Sequence, residues 1–226
     1  MPSITVTQLN GVVYSAGKVF DGLSASRLAT EKFLRLGRTD GIDSRADLAL
    51  LKDLRDAAHV LLDHHGYPDA TFVCAINASL TRSAALHPGQ FRTADQQIGV
   101  STRHGRHTPG PITDQALQAL LDNALDSPDV HKAAVNVFVD LARAQPFEDG
   151  NKRTALLAAN TVLLAASTGT LLAIPFDDND PSVTEQFNDR LATAYIQADC
   201  SGVTAMLLSD GIIPLPPATR PRIANL

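Results

Sequence analysis

The sequence is poor in the residues that build disulfide frameworks and metal clusters. It contains two cysteines, Cys74 and Cys200, and it has neither a CxxC pair nor a cluster of cysteines and histidines. Two distant cysteines in a chain of 226 residues indicate reduced thiols rather than a disulfide-stabilised secreted protein. We therefore expect a cytoplasmic protein that is stabilised by its hydrophobic core.

The sequence also lacks a long hydrophobic run and an excess of basic residues. Its most apolar stretch, residues 156–166, is too short to cross a bilayer and contains Asn160. The first residues, Met-Pro-Ser-Ile-Thr, show neither the basic nor the apolar region of a signal peptide. A net charge of −5 argues against nucleic acid as the main partner. We expect neither nucleic acid nor a membrane among the partners.

Hydrophobic periodicity predicts a mainly α protein. Apolar residues at helical spacing, with Ser, Thr, Asp or Gly at the ends, predict helices at 25–36, 44–65, 69–81, 113–126, 129–144, 151–168, 183–198 and 202–208. Ser24 is the predicted N-cap of the first of these helices, and Ser127-Pro128 is the predicted start signal before residue 129. The helix that begins at Asn151 is so rich in Ala and Leu that we expect it to be buried nearly all round.

A short hairpin near the N-terminus and one extended segment are also predicted. Residues 4–16 resemble a hairpin because Asn10-Gly11 separates two runs of β-branched residues. Residues 170–176 are predicted to be extended. The four prolines from Pro214 onward predict a tail that lies on the surface or has no fixed order.

The most informative stretch is the connection between the two helices that meet near residue 150. The six residues Gln145 to Gly150 contain two carboxylates and are followed by Asn151, Lys152 and Arg153 at a helix start. The first turn of a helix binds anions through its unpaired N–H groups, and Lys and Arg add full charges there. Asp149 could hold Mg²⁺ against a phosphate bound at this place. The alternative is an ordinary helix–helix connection with exposed charges.

This stretch resembles the core motif of the Fic/Doc family, H-P-F-x-[D/E]-G-N-[G/K]-R-x-x-R. The matching positions are Pro146, Phe147, Asp149, Gly150, Asn151, Lys152 and Arg153. Two positions depart from the motif: Gln145 stands in place of the catalytic histidine, and Leu156 in place of the second arginine. The resemblance implies a Fic/Doc-type helical bundle over residues 67–208, preceded by an N-terminal hairpin and helical extension at 1–66 and followed by a Pro-rich tail at 209–226.

A second segment resembles the family pattern P-G-x-[F/Y]-R, followed by the β-hairpin called the flap. Residues 88–92 match that pattern, and the arms of the flap would be residues 98–102 and about 104–107. In the family the flap docks a protein target by adding a strand. The implied docking residues are Ile98, Gly99, Val100, Ser101, Thr102, His104 and His107.

The resemblance also implies roles for the motif residues. Gly150 to Arg153 would bind the phosphates of a nucleoside triphosphate, most simply ATP, with Mg²⁺ on Asp149 and Phe147 in the core. Gln145 cannot accept a proton near neutral pH, so we expect impaired AMP transfer, although Gln145 could orient the acceptor. Alternatively, Gln145 only caps its helix, or His104 or His107 of the flap replaces the missing base.

The remaining departures favour altered activity. Family members that lack the second arginine are associated with transfer of the γ-phosphate, so Leu156 favours that reaction over AMP transfer. The inhibitory pattern [S/T]-x-x-x-E-[G/N] of many Fic proteins is absent, because none of the three glutamates fits it. A separate inhibitor chain is therefore a possible partner.

Three functions are consistent with the sequence. The first is a Mg²⁺-dependent nucleotidyl- or phosphotransferase with weak or altered activity. The second is an inactive nucleotide-binding regulator that binds a protein partner through the flap. The third is a structural protein in which the motif only forms a packed turn.

Overall fold

The computed structural model describes residues 4–83, 86–96 and 98–217. Within these residues the chain begins with a short 3₁₀ helix at Val6–Leu9. The α-helices are α1 (Asn10–Asp21), α2 (Arg27–Leu36), α3 (Arg45–Asp63), α4 (Ala70–Ala78), α5 (Asp114–Leu125), α6 (Val130–Ala144), α7 (Asn151–Ala165), α8 (Pro181–Gln197) and α9 (Ser201–Met206). The strands are β1 (Val100–Thr102), β2 (Gly105–His107), β3 (Thr170–Leu172) and β4 (Ile212–Pro214), and a π-helical turn at Leu207–Gly211 precedes β4.

Helix α7 lies at the centre of the molecule. Every residue from Arg153 to Leu163 is buried, as the composition of this helix predicted. It packs against α6 and also contacts α1, α3, α4 and β3. Because the core surrounds α7, the first turn of this helix is held in a fixed place relative to its neighbours.

Side-chain caps determine where most helices begin. Six helices start at a residue whose side-chain oxygen accepts a backbone N–H of the first turn: Ser26, Ser44, Asp69, Thr113, Asp129 and Asp180. The predicted starts at Ser24 and Ser127 are each two residues early, because Ser26 and Asp129 form the caps instead. Gly37 ends α2 in the left-handed conformation, as predicted.

The predicted N-terminal hairpin is wrong, because residues 6–21 are helical. The adjacent residues Val12 and Val13 are both fully buried, whereas a two-stranded hairpin would bury only one of its faces. Asn10-Gly11 lies in the first turn of α1, where a Cβ at position 11 would come within 3.0 Å of Ile213. The glycine therefore allows close packing rather than a turn.

The mainly α fold is confirmed, with two small antiparallel sheets. Strands β1 and β2 form the predicted flap hairpin. The second sheet pairs β3 with β4 across forty residues of chain, so residues 212–214 of the predicted tail belong to the folded part. The Asn160 side chain extends from α7 to this sheet, where Oδ1 accepts from the N–H of Leu172 and Nδ2 donates to its carbonyl oxygen.

Residues 218–226 of the predicted tail lie outside the described residues. The boundaries at residues 66 and 208 stay predictions. No helix among the described residues combines the length and the hydropathy needed to cross a membrane.

Candidate functional site

The connection between α6 and α7 is fixed by its own residues. Gly150 caps α7 with a φ of +73°, and a Cβ there would lie 2.6 Å from the Leu80 side chain. The fully buried ring of Phe147 stacks on Phe91 with 5.8 Å between the ring centroids. The Asn151 side chain hydrogen-bonds to the backbone of Phe147 and closes the turn.

Gln145 ends α6 in a strained conformation. Its φ is +44°, in the left-handed region that residues other than glycine rarely adopt. Arg92 stabilises this backbone, because its Nε donates to the Gln145 carbonyl oxygen at 2.6 Å and its N–H donates to that of Pro146 at 3.0 Å. The residue is only 3% exposed, and it lines the cavity at the start of α7.

A cavity of about 210 Å³ lies at the N-terminus of α7, and we call it the motif cavity. It brings together the predicted phosphate-binding residues, the predicted metal ligand, Gln145 and the first predicted arm of the flap. Its lining residues are Phe20, Asp21, Ile98, Gly99, Val100, Ala142, Gln145, Glu148, Asp149, Gly150, Asn151, Lys152 and Arg153. The predicted docking residues Ser101, Thr102, His104 and His107 do not line it.

Arg153 is surrounded by polar partners although it is only 3% exposed. Its Nε lies 3.6 Å from Asp21 Oδ2, and its Nη2 lies 3.6 Å from Asp149 Oδ2. The Asp149 side chain is 55% exposed, and its Oδ1 accepts the N–H of Gly150 at 2.6 Å. Burial raises the pKa of the Asp21 carboxyl, Asp149 raises it further, and Arg153 opposes both effects.

Lys152 lies on the rim that the motif cavity shares with a second cavity. Its Nζ is 4.9 Å from the centroid of the Phe20 ring, a cation–π contact. Burial lowers the pKa of the Lys152 ammonium, and Asp21 opposes this shift. The second cavity, of about 370 Å³, lies between the flap and α8. It is lined by Val100, Ser101, Thr102, Arg103, Lys152, Glu185, Asn188, Asp189, Leu191, Ala192 and Tyr195.

The flap is attached to α8 at both of its ends. Arg103 and His104 at the hairpin turn bind Asp189, with 2.6 Å between His104 Nε2 and Asp189 Oδ1. The His107 ring stacks on Tyr195 at a centroid distance of 4.9 Å, and its Nε2 donates to the carbonyl oxygen of Arg143 at 2.7 Å. Both flap histidines are therefore engaged with α6 or α8.

Two residues of the site, Asn77 and Asp21, could not be predicted from the sequence. Asn77 of α4 donates to the Asp149 carbonyl oxygen at 3.0 Å and to Thr154 Oγ1 at 3.1 Å, and it accepts the N–H of Gly89 at 2.8 Å. Asp21, at the end of α1, is brought to Arg153 only by the tertiary fold. Contacts between residues this far apart in the chain have no local pattern.

The donor groups at the cavity suit a hard cation that is also held by a phosphate. No group of three or more His, Cys, Asp or Glu side chains that could hold a metal alone occurs in the described part of the chain. Mg²⁺ is typically bound by one or two carboxylates together with substrate phosphates and water. The exposed Asp149 carboxylate, beside the first turn of α7, fits that description.

Residues 67–163, which run from before α4 into α7, match the model of the Fic/DOC family. This part of the chain belongs to that family. The resemblance inferred from the motif is thereby confirmed. A comparison with curated protein sequences found no match.

Solved structures of Fic proteins share the fold over most of the chain. Fic-1 of C. elegans (residues 134–508) has a TM-score of 0.68 and 16% identity, and the match covers 90% of this chain and 59% of that chain. A Fic domain containing signalling protein from Bacteroides thetaiotaomicron has a TM-score of 0.61 and 19% identity, covering 89% and 77%. A Fic family protein from Desulfovibrio desulfuricans has a TM-score of 0.60 and 16% identity, covering 89% and 61%. Because these identities are low, the likeness is one of fold, and this chain spans only 59% of the C. elegans chain.

Proposed function

We propose that this Fic domain binds the phosphates of a nucleoside triphosphate, with ATP as the first candidate, at the start of α7. The observation that carries the proposal is the motif cavity, where the first turn of a buried helix meets Lys152, Arg153 and the exposed carboxylate of Asp149. Helix N-termini with adjacent cations bind phosphate through N–H groups and the helix dipole. Fic domains typically transfer AMP or phosphate from nucleotides, which supports this assignment.

Asp149 is the residue that would hold Mg²⁺ at this site. A Mg²⁺ ion held there would supply positive charge that offsets the charge developing on the phosphoryl oxygens. The Asp149 side chain is 55% exposed, so a cation from solvent can approach it without unfolding the turn. The Oδ1 contact to the Gly150 N–H keeps the carboxylate beside the helix start.

The proposed reaction is slow transfer of AMP or phosphate to a hydroxyl group. The hydroxyl oxygen bonds to a nucleotide phosphorus and the bond from that phosphorus to its bridging oxygen breaks. Pyrophosphate leaves when AMP is transferred, the nucleoside diphosphate leaves when the γ-phosphate is transferred, and the hydroxyl proton is released to solvent. The Gln145 amide can orient the hydroxyl by hydrogen bonding, but it cannot take the proton near neutral pH. A missing general base lowers the rate by about 10²–10⁴-fold. Leu156, at the position of the second motif arginine, favours transfer of the terminal phosphate.

A second candidate is an inactive nucleotide-binding regulator, and one observation favours it. Among the described residues that line the motif cavity there is no histidine, and the carboxylate of Glu148 is engaged by His87 and Gln96. In this case the flap would bind a protein partner by strand addition, or a separate inhibitor chain would cover the site. Both candidates require nucleotide binding and differ in turnover.

Calorimetric titration of the full chain with ATP, with and without Mg²⁺, tests the proposal. We expect Mg²⁺-dependent binding, and we expect Asp149→Asn to weaken it by about tenfold or more because one charge-assisted ligand is lost. Asp43→Asn, in an exposed loop that does not line the cavity, makes the same charge change and should bind like the wild type.

Thermal unfolding with the same nucleotides provides a second readout. ATP at 100 times its dissociation constant should stabilise the folded state by about 2.7 kcal/mol. A folded wild-type protein that binds neither ATP nor any other nucleoside triphosphate would overturn both candidates. The motif would then be only a packed turn.

A further inference from the structure

Arg153 is held by a serine that lies outside the Fic motif. The guanidinium Nη1 donates to Ser83 Oγ at 2.8 Å, and Nη2 donates to the Ser83 carbonyl oxygen at 3.4 Å. Ser83 follows α4 and lies seventy residues before Arg153 in the chain. Its two oxygens therefore take two of the five N–H donors of the guanidinium.

Ser83 is in turn held by a fully buried carboxylate of α3. The side chain of Asp53 has 0% exposure, and its Oδ2 accepts the N–H of Ser83 at 2.7 Å and the hydroxyl of Ser83 at 2.8 Å. The N–H of Arg82 also donates to Oδ2 at 2.9 Å, and Arg82 Nη1 donates to Oδ1 at 2.9 Å. A buried carboxylate is costly unless it is satisfied in this way.

The direction of these hydrogen bonds has a consequence for Arg153. A serine hydroxyl has one proton to donate and two lone pairs. Because the acceptor-only carboxylate of Asp53 takes that proton, the hydroxyl oxygen offers its lone pairs to the guanidinium. The geometry therefore orients the arginine through a chain of three side chains, Asp53, Ser83 and Arg153.

We propose that Asp53, acting through Ser83, is a positioning residue for Arg153 in the anion site. This rests on the proposed function, because the benefit of a fixed guanidinium is the binding of phosphate. Asp53 lies in α3, outside the matched residues 67–163. The N-terminal extension is thus part of the site and not only packing for it.

Nitrogen-15 NMR of the Arg153 guanidinium, assigned with Arg153→Lys, tests the positioning directly and without ligand. Restricted rotation in the wild type should give separate signals for the Nη protons. We expect these signals to collapse in Ser83→Ala and in Asp53→Asn, and to persist in Ser83→Thr, which keeps the hydroxyl. Asp56→Asn is the matched control, because Asp56 binds Arg82 but has no bond to Ser83. Separate signals that persist in Ser83→Ala would refute the proposal.

Titration with Mg²⁺-ATP and with inorganic tripolyphosphate tests what the positioning does. Ser83→Ala should weaken both ligands by about tenfold, since one charge-assisted hydrogen bond fixes the arginine, while Ser83→Thr and Asp56→Asn should match the wild type. Unchanged affinity in Ser83→Ala would also overturn the proposal. If the wild type binds neither ligand, the proposed function fails, and the NMR measurement still decides whether Asp53 positions Arg153.

Discussion

Both hydrogen-bonding groups of the Asn151 side chain pair with the backbone of Phe147. Oδ1 accepts the Phe147 N–H at 2.9 Å, and Nδ2 donates to the Phe147 carbonyl oxygen at 2.9 Å. An amide is the side chain that can make both bonds at once, because it carries a donor and an acceptor. Asn151 thereby fixes the start of α7 against the backbone of Phe147, whose buried ring anchors the turn.

Replacing Asn151 with Ala should destabilise the protein by about 1–3 kcal/mol, because two backbone groups next to the core lose their partners. The measurement is the free energy of unfolding from denaturant titration. Asn123→Ala, at an exposed position of α5, is the control and should change stability by less than about 0.5 kcal/mol. Equal stabilities of the two variants would show that the paired hydrogen bonds contribute nothing.

Gly150→Ala should be more destabilising than Gly169→Ala. The two glycines have nearly the same φ, +73° and +71°, so the backbone strain of a Cβ is similar at both. At position 169 the Cβ meets nothing within 4 Å, whereas at position 150 it would lie 2.6 Å from Leu80 and 3.1 Å from Asn77. Overpacking should add about 1–3 kcal/mol to the loss at position 150. Equal losses in thermal or chemical unfolding would contradict the close approach.

The helices were predictable because their signals are local. Ser44, Asp69 and Thr113 cap the helices that their positions predicted, and the apolar spacing of each helix matches its buried face. The prediction of a hairpin at residues 4–16 was wrong, because Asn-Gly is a turn signal only where the flanking residues have a strand partner. Here the burial of both Val12 and Val13 favours a helix.

The candidate site was predictable in part for the same reason. The motif is contiguous, so its residues meet at one turn whatever the rest of the chain does. Arg153 contacts Asp21 of α1 and Ser83 after α4, and Ser83 is bound by Asp53 of α3; no spacing in the sequence relates these residues. Long-range polar contacts of this kind need the tertiary structure.

The thiol of Cys74 should be nearly inert at neutral pH. Burial, reinforced by Asp114 and Asp69, raises its pKa to about 11. At pH 8 only about one thiol in a thousand would be ionised, and alkylation should accelerate about tenfold per pH unit below the pKa. Iodoacetamide labelling of a Cys200→Ser variant measures this rate. The same variant in denaturant is the control, and native labelling as fast as the unfolded rate at pH 8 would disprove the shift.

The loop at residues 87–96 should loosen in acid. Hydrogen bonds from His87, and further from Gln96, lower the pKa of Glu148 below its ordinary value of 4.5. A carboxyl group whose pKa is lowered in the folded state stabilises the fold at pH values above its ordinary pKa. This contribution is lost as the pH falls through the lowered pKa. Hydrogen exchange, corrected for intrinsic rates, should show protection of the loop falling between about pH 5 and pH 3. Glu148→Gln should show low protection at both pH values, and a wild-type loop equally protected at both would contradict the role of the carboxylate.

Gln145→His should raise transferase activity if the chain is a slow enzyme. The residue lines the motif cavity with Asp149 and Lys152, so an imidazole there would stand beside the bound phosphates and could accept the proton of the attacking hydroxyl. A general base contributes about 10²–10⁴-fold, and we expect an increase of that order in the transfer of radiolabel from α- or γ-labelled ATP. Gln145→Asn, which keeps an amide, is the control and should stay at the basal rate. The ATP affinity of the Gln145→Asn variant should remain close to that of the wild type. A Gln145→His variant that binds ATP but transfers nothing would favour the regulator over the enzyme.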